Sequence, residues 1–594
     1  MNGRSAVFWA LAALLACGDD GAGAQTEDGT TPTMTTTGGA TEAPTTDGPT
    51  GSTATEPLPT TGPPPTTEPL PTTGGETDTG EPPPAGFRCL APPADAVAEL
   101  PQVQVDTAYP PLTGQSIAVA EGEDLQAAID AAQLGDELVL AAGATFTGNF
   151  VVPEKAGDGW LVIRGADAGD LPEHVRVTAD DAAGMPTLMT TNGLAVVSTQ
   201  GAAHHVRFVG VQFRPADGVD VNDLLVLGDA GATSADLLAH DLVFDRCVVR
   251  GDPAVGGKRG IQLNARAVGV VDSYFTDWKR VGQDTQALLG WNTPGPFRIV
   301  NNHIEGAAEN VMFGGADAKI ADVIPSDIEI CGNTFVKPLR WKEGDPGYEG
   351  THWSIKNLFE LKVGRRVLIS GNVFEQAWTD AQTGFAIVIK SANQDGGQPW
   401  AVTEHVSFVY NHIRLANGGV AVSRSDGGSL GTNHVRIEGN LVERIGGDEW
   451  GGDGRAFQLL DGIADVRLAH NTGLGRNQAI VFDGMPCPGL AIVDNLFGPT
   501  TYGVFGSGKG EGQAALDAYA PGAPFAGNVV VGAPAGSYPP GNFFPASVDE
   551  VGFVDAAGGD YALQPGSMFA GVASDGADPG YDAELLARAL AGDG

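Results

Sequence analysis

Apolar and polar positions alternate in short runs from about residue 115 to residue 535. The runs share one phrase: alternating apolar residues, a small residue or glycine, Asn, any residue, then an apolar one. It reads RIVNNHI, EICGNTF, LISGNVF, SFVYNHI, RIEGNLV, RLAHNTG, AIVDNLF and FAGNVVV, with asparagines at Asn302, Asn333, Asn372, Asn411, Asn440, Asn471, Asn495 and Asn528. Upstream, FVGVQF, FDRCVV and VVDSYF fit the same unit with Val211, Arg246 and Ser273 in the Asn slot. Period-2 alternation without a ten-residue helical pattern predicts strands. Gaps of 31, 39, 39, 29, 31, 24 and 33 residues between the asparagines exclude a repeat of constant length. A parallel β-helix absorbs such variation by bulging loops at its corners. The expectation is therefore an all-β, parallel β-helix solenoid of about 11 coils, each stacked about 4.8 Å above the last. Asn suits the corners because it tolerates the left-handed backbone region and bonds along a column of like amides.

An open solenoid needs its end covered. In GEDLQAAIDAAQLGDELVL, Asp124 can cap a helix whose Leu125, Ala128, Ile129 and Ala132 share one face, and the first strand follows at once. This capping helix, the Asn units and the closing VGFVDAAGGDYALQPGS resemble the right-handed parallel β-helix proteins of the pectate-lyase-like superfamily over roughly residues 115 to 585. The resemblance implies the fold; the superfamily hosts lyases, hydrolases, epimerases, adhesins and tailspikes, so it does not select an activity. The expected organisation is solenoid over 115–535 and closing segment over 536–594, with 87–114 as a linker into the fold.

Residues 1–17 differ from the rest. Arg4 precedes a ten-residue apolar stretch, Ala6 to Leu15, too short to span a bilayer, and Leu14-Leu15-Ala16-Cys17 resembles a bacterial lipobox. The expectation is an exported protein anchored through a lipid on Cys17, at the outer membrane or cell surface. From 18 to 86, Thr (21) and Pro (13) fill 34 of 69 positions, without Lys, Arg or an aromatic. Such a segment cannot bury apolar surface and reads as an extended, disordered stalk.

Charge then narrows the partners. Acids outnumber bases 73 to 33, a formal balance of −40, which argues against nucleic acid. Yet five of the ten lysines, Lys337, Lys342, Lys356, Lys362 and Lys390, fall within 54 residues, and six of nine tryptophans lie between Trp278 and Trp400. Cations beside exposed rings suit an acidic polysaccharide. Arg340, Trp341, Trp353, Arg365 and Trp400 are the expected substrate contacts. Strand parity in SIKNLFELK turns Lys356, Leu358, Glu360 and Lys362 outward if Phe359 and Leu361 point inward. The same reasoning turns Lys390 and Asn310 outward, with Glu309 at the strand entrance, and gives Gln262, Asn264 and Gln286 similar places.

Such a face fits eliminative cleavage of a uronic acid, which needs the carboxylate neutralised and a base for the C5 proton. Glu309, Asn310 and Glu360 are candidate Ca²⁺ ligands, and Lys362, Lys356 or Lys390, with a lowered pKa, is the candidate base. NLFELK ahead of SGNVF resembles the strand of β-helix alginate and chondroitin lyases that carries acids and a lysine, although the acid spacing differs. A non-catalytic glycan-binding or structural surface protein is the alternative. A glycoside hydrolase using Asp453, Asp461 and Asp483 is a second. No His/Cys cluster has zinc spacing in the sequence. Cys89, Cys247, Cys331 and Cys487 permit three full pairings, with Cys247 and Cys331 read as buried thiols.

Overall fold

In the computed structural model the described residues are 86–382, 384–424 and 427–594. The lipobox with Cys17 and nearly all of the stalk lie outside them. Within this range three long sheets wind as a parallel β-helix. The first has 14 strands, from Ser116–Val119 to Phe525–Ala526, and the second 13, from Thr145–Thr147 to Val529–Val530. The third also has 13, from Phe150–Val152 to Gly510–Glu511. Each coil passes from first to second to third sheet, and every strand pairs in parallel with its counterparts one coil below and above, except for a closing hairpin at Gly510–Glu511. The winding is the right-handed one that twisted strands favour. There are more than 11 coils because the first ones, at the N-terminal end, lack the Asn phrase.

The core is a set of inward columns. Val268, Phe297, Ile328, Val367, Val406, Val435 and Val466 stack in register on the first sheet, each at most 1% exposed. On the second sheet Phe275, Ile304, Phe335, Phe374, Ile413 and Val442 do the same. Helix Leu125–Ala131 closes the N-terminal end: Asp124 accepts the backbone N–H of Ala127, while Leu125 and Ile129 enter the core.

The asparagines form one buried ladder between the first and second sheets. In each step the Oδ1 of one Asn accepts the backbone N–H and Nδ2–H of the Asn below, as Asn333 does for Asn302 (2.9 and 3.0 Å). The second Nδ2–H bonds a core-strand carbonyl, Val270 O for Asn302. The left-handed corner residue is the one before each Asn: Asn301, Gly332, Gly371, Tyr410, Gly439, His470, Asp494 and Gly527, at φ 49–68°. The asparagine therefore serves its amide, not its backbone tolerance. Arg246 likewise occupies the corner (φ 50°), and Cys247 fills the Asn slot, its N–H bonded to Ser273 Oγ.

The segment 87–114 is tied to the solenoid. Cys89 forms a disulfide with Cys331, which is thus no thiol, and Phe87, Leu90 and Leu100 pack with Leu586 and Ala589 of helix Ala583–Ala591 on the outer face of the first sheet. Gly332 is required there, since a Cβ would stand 2.0 Å from the Phe87 ring. Cys247 and Cys487 are buried free thiols whose pKa values burial pushes up to about 12 and about 11.

Candidate functional site

Four neighbouring strands of the third sheet, Gln286–Gly290, Glu309–Phe313, Phe359–Leu361 and Ile387–Ile389, carry the charge cluster. Glu360 stands on the outer face in register with Met312 and Val388. Its Oε1 lies 3.8 Å from Lys362 Nζ and 3.7 Å from Lys390 Nζ, and its Oε2 is 3.5 Å from Asn357 Nδ2. Lys356 pairs with Asp284. Gln286 Nε2 donates to Glu309 Oε2 at 2.8 Å. The structure thus brings Lys356, Lys362, Lys390, Glu309 and Glu360 to one place, with Asp284 and Asn357 added. Asp284 sits in an irregular loop and carries no sequence signal. These groups are shallowly enclosed: the side chains of Lys356, Lys362 and Lys390 are 14%, 12% and 7% exposed.

Electrostatics redistributes the expected roles. Burial, with Asp284 and Glu360 nearby, pushes the Glu309 carboxyl up to about 7. Burial would lower the Lys356 pKa, but Glu309, Asp284 and Glu360 outweigh it and hold the ammonium above its ordinary value. Lys356 is therefore no depressed-pKa base, and the group poised near neutrality is the acid instead.

Asn310 is corrected. Strand alternation fails at the start of this strand: its N–H goes to Leu358 O, and both Leu358 and Phe359 N–H groups point at Ala386 O. Leu358, expected outside, is a core residue at 0% exposure. The Asn310 amide is committed to the Ile304 and Val336 carbonyls at 2.6 and 3.1 Å. Its oxygen accepts from Lys337 Nζ at 3.2 Å. Lys337 is itself wholly buried, donating also to the carbonyls of Gly306, Ala307, Ala308 and Asn357 at 2.8–3.0 Å. Burial pulls its pKa down to about 7, opposed by the nearby Glu309 carboxylate. The predicted Ca²⁺ set therefore does not fit: Asn310 faces away, and ammonium groups already flank Glu360. Asn264 is similarly spent on the N–H groups of Trp291 and Asn292.

The expected row of exposed rings is also corrected. Trp341 and Trp353 are 2% and 4% exposed and pack with Trp378 and Trp450 under the long loops between the second and third sheets. Lys279, fully buried, lies 5.2 and 4.8 Å from the Trp341 and Trp353 rings and pairs with Glu349. Ring and cation do meet, but to fasten loops. A cavity of about 350 Å³ beside them is lined by Trp341, Trp353, Trp378, Trp450, His352 and Asp380, among others. Arg340 pairs with Glu305 (2.8 Å) and Asp277 (3.1 Å), and Trp400 donates to Val323 O. Arg365 belongs to the first sheet, a different face, where it pairs with Glu404. These five residues do not line one trough. Of the acids considered for hydrolysis, Asp461 and Asp483 come from neighbouring strands, while Asp453 pairs with Arg455.

No protein-family model matches the chain, and no curated protein is similar to it. Among solved structures, an alginate lyase from Paenibacillus sp. str. FPU-7 is 14% identical over 56% of this chain and 96% of its own, with a TM-score of 0.35. A mannuronic acid specific polysaccharide family 6 lyase from human gut microbiota is 13% identical over 70% and 86%, with a TM-score of 0.41. The catalytic unit of an alpha-1,3-glucanase from Streptomyces thermodiastaticus is 12% identical over 75% and 71%, with a TM-score of 0.40.

Proposed function

We propose that this protein acts on an acidic polysaccharide at the outer face of the third sheet, by β-elimination. The observation that carries the reading is the convergence of Lys356, Lys362 and Lys390 around Glu309 and Glu360 in a chain of net charge −40. Ammonium groups would neutralise a uronate carboxylate and so acidify the neighbouring C5 proton. Glu309, titrating near neutrality, would accept that proton. The C5–H electron pair becomes the C4=C5 double bond, the C4–O bond breaks, and the departing oxygen takes a proton from a lysine ammonium. No step needs Ca²⁺. The reading includes export, with the solenoid held off a membrane by a lipid on Cys17 and the 18–86 stalk.

The test is an ultraviolet assay for unsaturated chain ends on pectate, alginate and chondroitin, with and without Ca²⁺, comparing the native protein with Lys362→Ala and Glu309→Gln. Loss of at least a hundredfold in both variants, with Lys362→Ala melting as the native protein does and Glu309→Gln still folding cooperatively, supports the reading. The low exposure of the three lysines favours a second reading, binding without cleavage. Retention of these glycans with no unsaturated product would establish that one.

A further inference from the structure

A second cluster of chemically able side chains lies on the first sheet, away from the lysines. The neighbouring strands His204–Val209 and His240–Asp245 pair in register, with His204 opposite His240. In a regular strand, successive side chains point to opposite faces. Here the second residue of each strand, His205 and Asp241, has φ 53° and is skipped in the ladder without any shift of register, a matched left-handed kink that turns both members of each pair to the same side. The result is a quartet drawn from two coils. His204 Nδ1 and His205 Nδ1 are 2.8 Å apart, and His240 Nδ1 and Asp241 Oδ2 are 2.6 Å apart. The His204 and His240 rings stack at 4.9 Å, and Trp160 closes over His205 at 5.1 Å.

We propose that His205, His240 and Asp241 form a binding site for a divalent transition-metal ion of the Zn²⁺ type, clipping two successive coils together. One donor atom from each lies within 4.8 Å of the others, so small side-chain rotations would bring them to the roughly 3.5 Å separation that bonds of about 2.0–2.2 Å to one tetrahedral ion require. Two imidazoles and a carboxylate select borderline metals over Ca²⁺ or Mg²⁺. All three are half-buried, so an ion could reach them from solvent. His204 is placed to serve as a fourth ligand or as a hydrogen-bond partner that orients His205. The next coil presents Arg266 and Ala267 at the same two positions, which confines the site to these strands. A second histidine pair in the same column of left-handed residues, His405 and His434 at 4.7 Å, is the natural control. Its Nδ1 atoms are taken by Glu99 N–H and Asn433 Oδ1.

The experiment is Zn²⁺ titration calorimetry on metal-stripped, tag-free protein, with Co²⁺ absorption as an independent report of nitrogen and oxygen ligation. Native protein should take up one Zn²⁺ per chain, and its melting temperature should rise with Zn²⁺. His240→Gln and Asp241→Asn should each weaken binding at least tenfold. Asn tolerates the left-handed backbone at 241, so this second variant preserves the fold if the first does not. His405→Gln should bind as the native protein does. Absence of stoichiometric binding, or unchanged affinity in both cluster variants, would overturn the proposal.

Discussion

The Nζ of Lys337 donates to the side-chain oxygen of Asn310 at 3.2 Å, while the Asn310 amide nitrogen holds the Ile304 and Val336 carbonyls. One cation and one amide thus knit the entrance of strand Glu309–Phe313 to the rest of its own coil and to the coil that follows. Lys337→Met has nearly the same length and no donor, and would leave four carbonyls and the Asn310 oxygen facing an apolar chain. We expect a loss on the order of 3 kcal/mol, seen as a lower melting temperature, together with misplacement of Glu309. An unchanged melting temperature would show that water can replace the ammonium there.

Glu309 makes stability depend on pH in an unusual direction. Its folded pKa, about 7, lies above the ordinary 4.5, so the folded state keeps a proton that the unfolded state releases. Below pH 4.5 both states are protonated and the group contributes no pH dependence. As pH rises toward 7 only the unfolded chain ionises, and stability falls by an amount on the order of 3 kcal/mol, then levels off. Glu309→Gln should abolish that component. Thermal melts of both proteins from pH 4 to 8 should diverge across this window; parallel curves would contradict the assignment.

The amide ladder predicts a ranking at Asn411. Its oxygen accepts both N–H donors of Asn372, and its Nδ2 donates to Asn440 Oδ1 and Ile369 O, each at 3.0 Å. Asn411→Ala should cost about 2–4 kcal/mol, because buried donors and acceptors lose their partners. Asn411→Gly should be no better, since the left-handed corner belongs to Tyr410. Asn411→Asp should be worse, placing a charge where two donors are needed. Chemical denaturation of the three variants measures the order.

If Cys17 carries the lipid that the lipobox implies, Cys17→Ser should move the protein from the membrane to the soluble fraction of an expressing cell. Continued need for detergent would refute the anchor.

How much of this was legible in the chain follows from how far each signal reaches. Alternation and the Asn phrase are local and recur, so the solenoid, its capping helix and the amide columns could be read directly. Lys356, Lys362 and Lys390 could be gathered because stacking brings residues one coil apart side by side, and each sits near a strand end. Parity failed at Asn310 and Leu358, where a corner breaks the two-residue period. The tryptophans carry no such signal, because ring and cation look alike in sequence whether they meet a ligand or a loop.

The order of residues alone determined that this chain coils, since a two-residue period repeated about every 30 positions leaves few other ways to bury its apolar side chains. Tertiary structure alone decided which polar groups are spent internally: Lys337, Lys279 and Asn310 inside, Glu309 shifted to neutrality, and His204, His205, His240 and Asp241 meeting across two coils. The physical reason is that burial and charge pairing act over a few ångströms in space, and residues 20 to 70 positions apart are brought within that range only when the turns have stacked.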